Sequence, residues 1–187
     1  MLSTAQAASM EPSGSDLRAR RHVLRSAALA AGLASSGVWV STPVQGGATT
    51  PRWPGLALKG LHGQSFTMDA GLWRATLIDF WASWCAPCRL SFPWMNNLHE
   101  RLSERGLRIL AINLDRRRED AVRFLSAYPA RFEIALDPAA ETASALNIQA
   151  MPTSMLLGQD GVIRWTHRGF RESDTVGLER RIKEALG

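Results

Sequence analysis

Residues 76–88 read Thr-Leu-Ile-Asp-Phe-Trp-Ala-Ser-Trp-Cys-Ala-Pro-Cys, an apolar run that leads into the only two cysteines of the chain, Cys85 and Cys88. The compact run over 76–82, broken only by Asp79, predicts a buried central strand. Two cysteines are too few for a disulfide framework or for a zinc site built from four thiolates. A pair of thiols placed this close together is typical of reversible electron transfer.

The composition is that of an ordinary folded protein. The chain has 187 residues, of which 45% are hydrophobic, so it can form one domain with a core and is not a disordered protein. The formal net charge of +5 is small, and the basic residues are spread along the sequence. We therefore expect no nucleic-acid partner.

The first 48 residues have the layout of an export signal. A basic segment without acidic residues, 18–25, precedes a small and uncharged run over 26–40 that is short for a membrane span. The pair Arg20-Arg21 resembles a twin-arginine signal. We expect an export signal over 1–48 that is cleaved, and hence a periplasmic or otherwise exported protein. An uncleaved membrane anchor, or translation from Met10, is the alternative.

After a Pro-rich linker over 49–55, strand and helix patterns alternate through a single domain over 56–187. Strands are predicted over 56–58, 65–68, 76–82, 107–114, 132–136, 153–157 and 162–166. Helices are predicted over 86–105, 119–127, 139–146 and 173–186, with Asp115 as a possible cap of the second. This order indicates an α/β sandwich with a mixed sheet.

The two cysteines fall where the strand over 76–82 gives way to the next helix. The positive end of that helix favours a thiolate, so we expect an exposed Cys85 with a lowered pKa to attack first. Cys88, one turn further on, would be shielded and would resolve the mixed disulfide. The residues between them, Ala86 and Pro87, carry no charge that would stabilise a thiolate strongly. A reducing couple is therefore expected rather than a strong oxidant.

Asp79 is the charged residue of the otherwise apolar strand. Burial would raise the pKa of this carboxyl and make it a suitable proton acceptor for Cys88. The sequence leaves open a second interpretation, an edge aspartate that faces solvent or caps a turn.

Three motifs together resemble thioredoxins: the Asp-Phe-Trp-Ala-x-Trp-Cys-x-Pro-Cys stretch, the helix proline Pro93, and Met151-Pro152-Thr153 before a strand. The resemblance implies a thioredoxin-like three-layer sandwich, with a mixed central sheet and helices on both faces. It also implies that Asp79 lies buried below Cys88 and that Pro152 follows a cis peptide bond beside the disulfide. A cis proline would leave the Met151 backbone free to pair with an extended substrate. The expected substrate surface comprises Trp84, Ala86, Pro87, Met151, Pro152 and Thr153.

The segment between Cys88 and Pro152 has room for an extra strand–helix unit, around 119–136. With the leader, this is similar to the TlpA/ResA group of exported thiol–disulfide oxidoreductases. Several members have a glutamate where this chain has Ser91, and plain thioredoxins have a lysine where it has Ala111. The resemblance implies protein thiol or disulfide substrates and a membrane-bound or periplasmic electron donor. It implies no cofactor beyond the redox-active disulfide.

Two other functions share this fold. A thiol peroxidase of the peroxiredoxin class would have a threonine three residues before its reactive cysteine, where this chain has Ala82. A non-catalytic chaperone or metal carrier is the other alternative. We expect no metal site, because the histidines are not spaced as ligands beside the cysteines: His22, His62, His99 and His167.

Overall fold

The structure, a computed structural model, describes residues 51–68 and 72–187, so the predicted export signal lies outside the described residues. These residues form a seven-stranded sheet with the order β2-β1-β5-β4-β3-β6-β7. The strands are β1 (Leu58–Gly60), β2 (Ser65–Phe66), β3 (Ala75–Trp81), β4 (Leu107–Asn113), β5 (Glu133–Leu136), β6 (Thr153–Gly158) and β7 (Ile163–Arg168). The predicted strands are all present, with ends displaced by one or a few residues.

Four α-helices connect or follow the strands: α1 (Cys88–Leu102), α2 (Arg118–Ala127), α3 (Glu141–Ala145) and α4 (Thr175–Leu186). The first helix is shorter at both ends than the predicted 86–105. At its C-terminal end the chain tightens, with the Arg105 amide donating to Leu102 and the Gly106 amide to Ser103. Gly106 has a φ of 95°, a conformation that suits glycine, but it lies three residues beyond the C-cap residue Ser103. The prediction that Gly106 itself ends the helix is therefore wrong.

Apolar side chains cover both faces of the sheet, which confirms the predicted three-layer α/β sandwich. On one face α1, α2 and α4 pack against the sheet through Phe92, Met95, Leu98, Ala121, Phe124, Ile182 and Leu186. On the other face α3 contributes Ala143, and residues near the N-terminal end of the domain complete the layer. The predicted extra unit is present as α2 and β5, which extend the sheet beyond β4.

The central strand β3 positions the chemistry. It pairs in parallel with β4 and antiparallel with β6, so Asp79 lies opposite Ala111 on one side and Ser154 on the other. Phe80 lies opposite Thr153, the first residue of β6. The end of β3, where the chain turns toward the cysteines, is therefore beside the segment that precedes β6.

Residues 51–53 are joined to the β6–β7 turn rather than free of the domain. Arg52 forms an isolated bridge with Val162, the Trp53 amide donates to Gly161 over 3.1 Å, and the Ile163 amide donates to Pro51 over 2.8 Å. This part of the predicted linker over 49–55 thus pairs with the sheet. Among residues 51–68 and 72–187, no helix has the length and apolar character needed to cross a membrane.

Candidate active site

Cys85 and Cys88 are joined by a disulfide, with an S–S distance of 2.03 Å and a Cα–Cα distance of 5.4 Å. Cys88 is the first residue of α1, and Cys85 lies in the turn that follows β3. The Cys85 amide donates to Ala82 and the Cys88 amide donates to Cys85, so two successive tight turns carry the pair. The prediction that the two sulfurs can meet is confirmed.

The prediction that Cys85 is exposed is wrong for the disulfide form. Cys85 retains 4% of its surface and Cys88 none, so both are buried although the predicted order of exposure holds. Both sulfurs belong to the apolar core between the sheet and α1, against which Met151 also packs. Packing by residues distant in sequence therefore covers a cysteine that its position in a turn would leave open.

The sequence predicts that the positive N-terminal end of the helix stabilises the Cys85 thiolate, but α1 begins only after Cys85. Pro87 occupies the N-cap position and makes no side-chain cap, which places Cys85 three residues before the start of the helix proper. Trp84 is 67% exposed, and Ala86 and Pro87 are exposed beside it. Trp81, by contrast, is fully buried and packs edge-on against Phe92, so its role is in the core.

Asp79 is completely buried, which excludes the interpretation as a solvent-facing edge aspartate. Leu77 and Trp81, two residues to either side along β3, belong to the same core as the disulfide, and alternation along a strand places Asp79 on that face. Burial raises the pKa of Asp79 from 3.8 to about 7, and a hydrogen bond from Ser154 opposes the rise. Ser154 Oγ donates to Asp79 Oδ1 over 2.7 Å, whereas Oδ2 has no partner within the described part of the chain.

The Met151–Pro152 peptide bond is cis, as the resemblance to thioredoxins implies. Pro152 and Thr153 are buried, and Met151 is half-buried. Thr153 Oγ1 donates to the Ala150 carbonyl over 2.6 Å, and the Gly169 amide donates to the Pro152 carbonyl over 2.7 Å. The Met151 amide and carbonyl have no hydrogen-bond partner among residues 51–68 and 72–187. The neighbouring residues are therefore held in place while the Met151 backbone stays available.

A polar cluster of the buried residues Asn113 and Asp115 with the half-buried Ser83 anchors the loop that leads to Cys85. The Asp115 carboxylate accepts from the Ser83 amide and hydroxyl, each over 2.9 Å, and from Asn113 Nδ2 over 2.8 Å. The prediction that Asp115 caps α2 is wrong, because Arg117 occupies that N-cap position and makes no side-chain cap. Asp115 instead joins the loops that follow β3 and β4, a contact that becomes visible only when the two strands are paired.

The two positions at which the resemblance leads us to expect a charged residue, 91 and 111, are uncharged and buried in this chain. Ser91 is buried and its hydroxyl donates to the Cys88 carbonyl, and Ala111 lies directly opposite Asp79. Neither adds a charge to the site, so the pKa of Asp79 responds to burial and to Ser154. Within the described ranges, no three side chains of His, Cys, Asp or Glu cluster as a metal site would require.

Comparisons with known proteins agree with this geometry. The profile of the Redoxin family matches residues 45–183. A protein of Geobacillus kaustophilus named thiol-disulfide oxidoreductase ResA is 27% identical over 164 residues, which are 84% of this chain and 92% of the relative. The protein of the same name from Bacillus thuringiensis subsp. konkukian is 27% identical over 131 residues, 70% of this chain and 75% of the relative.

Among solved structures, a Chlorobium tepidum protein assigned as thiol:disulfide interchange protein DsbE is 39% identical, with a TM-score of 0.70. The similarity covers 74% of this chain and 97% of that structure. Sequence, fold and a bonded cysteine pair at the end of the central strand thus lead to one assignment. The chain belongs to the Redoxin family, as a TlpA/ResA-like thiol–disulfide oxidoreductase of the thioredoxin superfamily.

Proposed function

We propose that this protein is an exported reductase of protein disulfides, in which Cys85 attacks and Cys88 resolves. The observation that carries the proposal is the Cys85–Cys88 disulfide in the same core as a buried carboxyl, Asp79, whose pKa is raised to about 7. A dithiol beside a group that can take up a proton near neutral pH has what thiol–disulfide exchange requires.

The reduced protein would act in two exchanges. The Cys85 thiolate attacks one sulfur of a substrate disulfide, forming a mixed disulfide and releasing the other substrate sulfur as a thiolate. Asp79 then accepts the proton of Cys88, and the Cys88 thiolate attacks the sulfur of Cys85. The second substrate thiolate leaves and takes a proton from solvent. The substrate gains two electrons, and the protein ends with its cysteines bonded as in this structure.

Three features support a protein as substrate. The Met151 backbone has no partner among the described residues and can hydrogen-bond with an extended segment. Hydrogen bonds made by Thr153 and Pro152 hold the chain around Met151 in place. Trp84 adds an exposed aromatic surface next to the sulfurs.

Ala86 and Pro87 are uncharged, which favours the reducing direction because nothing between the cysteines stabilises the thiolate strongly.

Insulin reduction with dithiothreitol as electron source tests the mechanism, and the two cysteines provide matched variants. Cys85→Ser should abolish the activity. Cys88→Ser should turn over more slowly, because dithiothreitol must then release the substrate from Cys85. When the reduced Cys88→Ser variant is freed of dithiothreitol before insulin is added, it should retain the substrate in a covalent complex that added dithiothreitol releases. Full activity in Cys85→Ser would rule out the proposal. Peroxide consumption far faster than that of a free thiol would instead support a peroxidase. Equilibration in glutathione buffers then measures the direction that the couple favours.

The export signal and the electron donor are tested in cells. Replacing Arg20 and Arg21 together by lysine keeps the charge of the leader but removes the twin-arginine pair. We expect the wild-type chain in the periplasmic fraction and the double variant in the cytoplasm; a wild-type chain confined to the cytoplasm would contradict export. Covalent capture by Cys88→Ser identifies the substrate, and crosslinking of the oxidised protein identifies a membrane-bound or periplasmic donor.

A further inference from the structure

Ser154 takes no direct part in the proposed thiol–disulfide exchange, yet it lies beside the proton acceptor Asp79. It is the second residue of β6, is 3% exposed, and lies directly opposite Asp79 in the pairing of β6 with β3. Its hydroxyl donates to Asp79 Oδ1 over 2.7 Å. Within residues 51–68 and 72–187, no other side chain or backbone group donates to that carboxylate, and Oδ2 is buried without a partner.

The surroundings of Asp79 contain few other groups that could set its protonation. The neighbour on β4 is Ala111, and α1 and α4 contribute the apolar side chains of the shared core together with Cys88. The next titratable group across the sheet is His167, which pairs with Ser154 in the register of β6 with β7. His167 is half-buried, and its Nε2 lies 3.3 Å from Asp174 Oδ2.

We propose that Ser154 is a positioning residue that sets the proton affinity of Asp79, and thereby the pH range over which Cys88 can be deprotonated. The inference rests on the proposed function, in which Asp79 accepts the Cys88 proton. A hydroxyl that donates to a carboxylate stabilises the ionised form, so it counteracts the effect of burial. Ser154 therefore keeps part of the Asp79 population ionised at neutral pH, where a carboxyl buried without a donor would hold its proton.

The magnitude follows from the energy of one hydrogen bond to a charged group. A hydrogen bond to an ionised carboxylate is about twice as strong as one between neutral groups, so its loss disfavours the ionised form measurably. Removing the hydroxyl should therefore raise the pKa of Asp79 by about one unit or more above its present value. The rate of the resolving step would then reach its plateau at a correspondingly higher pH.

The test uses the full chain with Ser154→Ala, and Ser154→Thr as the variant that keeps the donor. The pKa of Asp79 is read directly from the titration of its carboxyl carbon by NMR, in the oxidised and the reduced protein. We expect an upward shift of about one pH unit in Ser154→Ala and a return toward the wild-type value in Ser154→Thr. The pH profile of insulin reduction should move in the same direction by the same amount.

Two further comparisons, one between variants of Ser154 and one with a variant of His167, test the inference independently. If Ser154→Ala does not fold, Ser154→Thr and Ser154→Val replace it as the test pair. These two side chains have nearly the same shape, but only threonine has a hydroxyl donor. The pKa of Asp79 should be higher in the valine variant. His167→Gln should leave the Asp79 titration in place. An unchanged titration in folded Ser154→Ala, or a shift that follows His167→Gln instead, would overturn the inference. Because the carbon titration needs no substrate, it separates this result from a failure of the reductase proposal.

Discussion

At neutral pH the Asp79 carboxyl is near the midpoint of its titration, because burial raises its pKa to about 7. A group in that state can accept and release a proton with little change in free energy, which suits a general base. Asp79→Asn keeps the shape of the side chain but cannot accept the Cys88 proton. We expect the resolving step to slow by at least about ten-fold and to lose its pH dependence near 7. Stopped-flow release of substrate from the Cys85 mixed disulfide measures both.

Glu100→Gln is the charge-matched control for this change. Glu100 is exposed on α1 and lies 3.5 Å from Arg131, so its loss removes a carboxylate without touching the disulfide core. If the rate of the resolving step is the same in Asp79→Asn and Glu100→Gln at every pH, Asp79 is not the base.

Trp84, the residue immediately before Cys85, exposes its indole to solvent. Trp84→Ala should raise the KM for insulin several-fold, while the rate with a small disulfide stays close to that of the wild type. The free energy of unfolding should change by less than about 0.5 kcal/mol, as for other surface substitutions. Val176→Ala, which truncates an 80% exposed side chain on α4, is the matched control. Equal effects of the two substitutions on KM would argue against a substrate surface at Trp84.

At the scale of elements, the loops that follow β3 and β4 are tied together by the Asp115 carboxylate. Asp115→Ala leaves the buried Asn113 Nδ2 and the half-buried Ser83 amide without their acceptor, which should cost about 2–3 kcal/mol of unfolding free energy. Because Ser83 lies two residues before Cys85, we also expect a lower rate of insulin reduction. Urea denaturation and the insulin assay measure the two effects.

Asp115→Asn serves as the control, since the amide keeps one acceptor oxygen and loses the charge. It should fall between the wild type and Asp115→Ala in both measurements. An alanine variant as stable and as active as the wild type would show that the loop before Cys85 is held by other contacts.

For the whole molecule, two carboxyl groups change the free energy of unfolding with pH in opposite directions. Burial raises the pKa of Asp79 from 3.8 to about 7, so the folded state binds more protons than the unfolded state between those values. Stability is therefore greatest below about pH 4 for this group and falls as the pH rises to about 7. Hydrogen bonds from Arg101 and Lys183 lower the pKa of Glu179 from 4.5 to about 2, so its contribution is present above 4.5 and is lost toward pH 2.

Urea denaturation of the oxidised protein should separate the two groups. Asp79→Asn should remove much of the decline between about pH 4 and about pH 7, and it should be more stable than the wild type at about pH 8. Glu179→Gln should leave that decline in place and lose about 1 kcal/mol or less at neutral pH, because its ion pairs are partly exposed. A decline of unchanged size in Asp79→Asn would mean that the carboxyl is not buried as the structure shows.

The sequence suffices for much of this architecture because its local signals agree with one another. The apolar run over 76–82, the cysteine spacing and the Met151-Pro152-Thr153 motif predict β3, the bonded pair and the segment beside it. Local patterns cannot show which residues meet across strands. Ser154 and the Asp115 cluster depend on the register of β3 with its two neighbours, and the burial of Cys85 depends on packing from distant segments.

The bridge between Arg52 and Val162 fixes where the polypeptide enters the folded unit. Ala75, at the first residue of β3, pairs with Gly158 near that turn, whereas the sulfurs follow the last residue of the same strand. Residues 51–53 and the disulfide therefore lie near opposite ends of the central strand β3. A fusion partner, affinity handle or solid support joined at residue 51 would therefore leave the disulfide end of β3 unobstructed for large protein substrates.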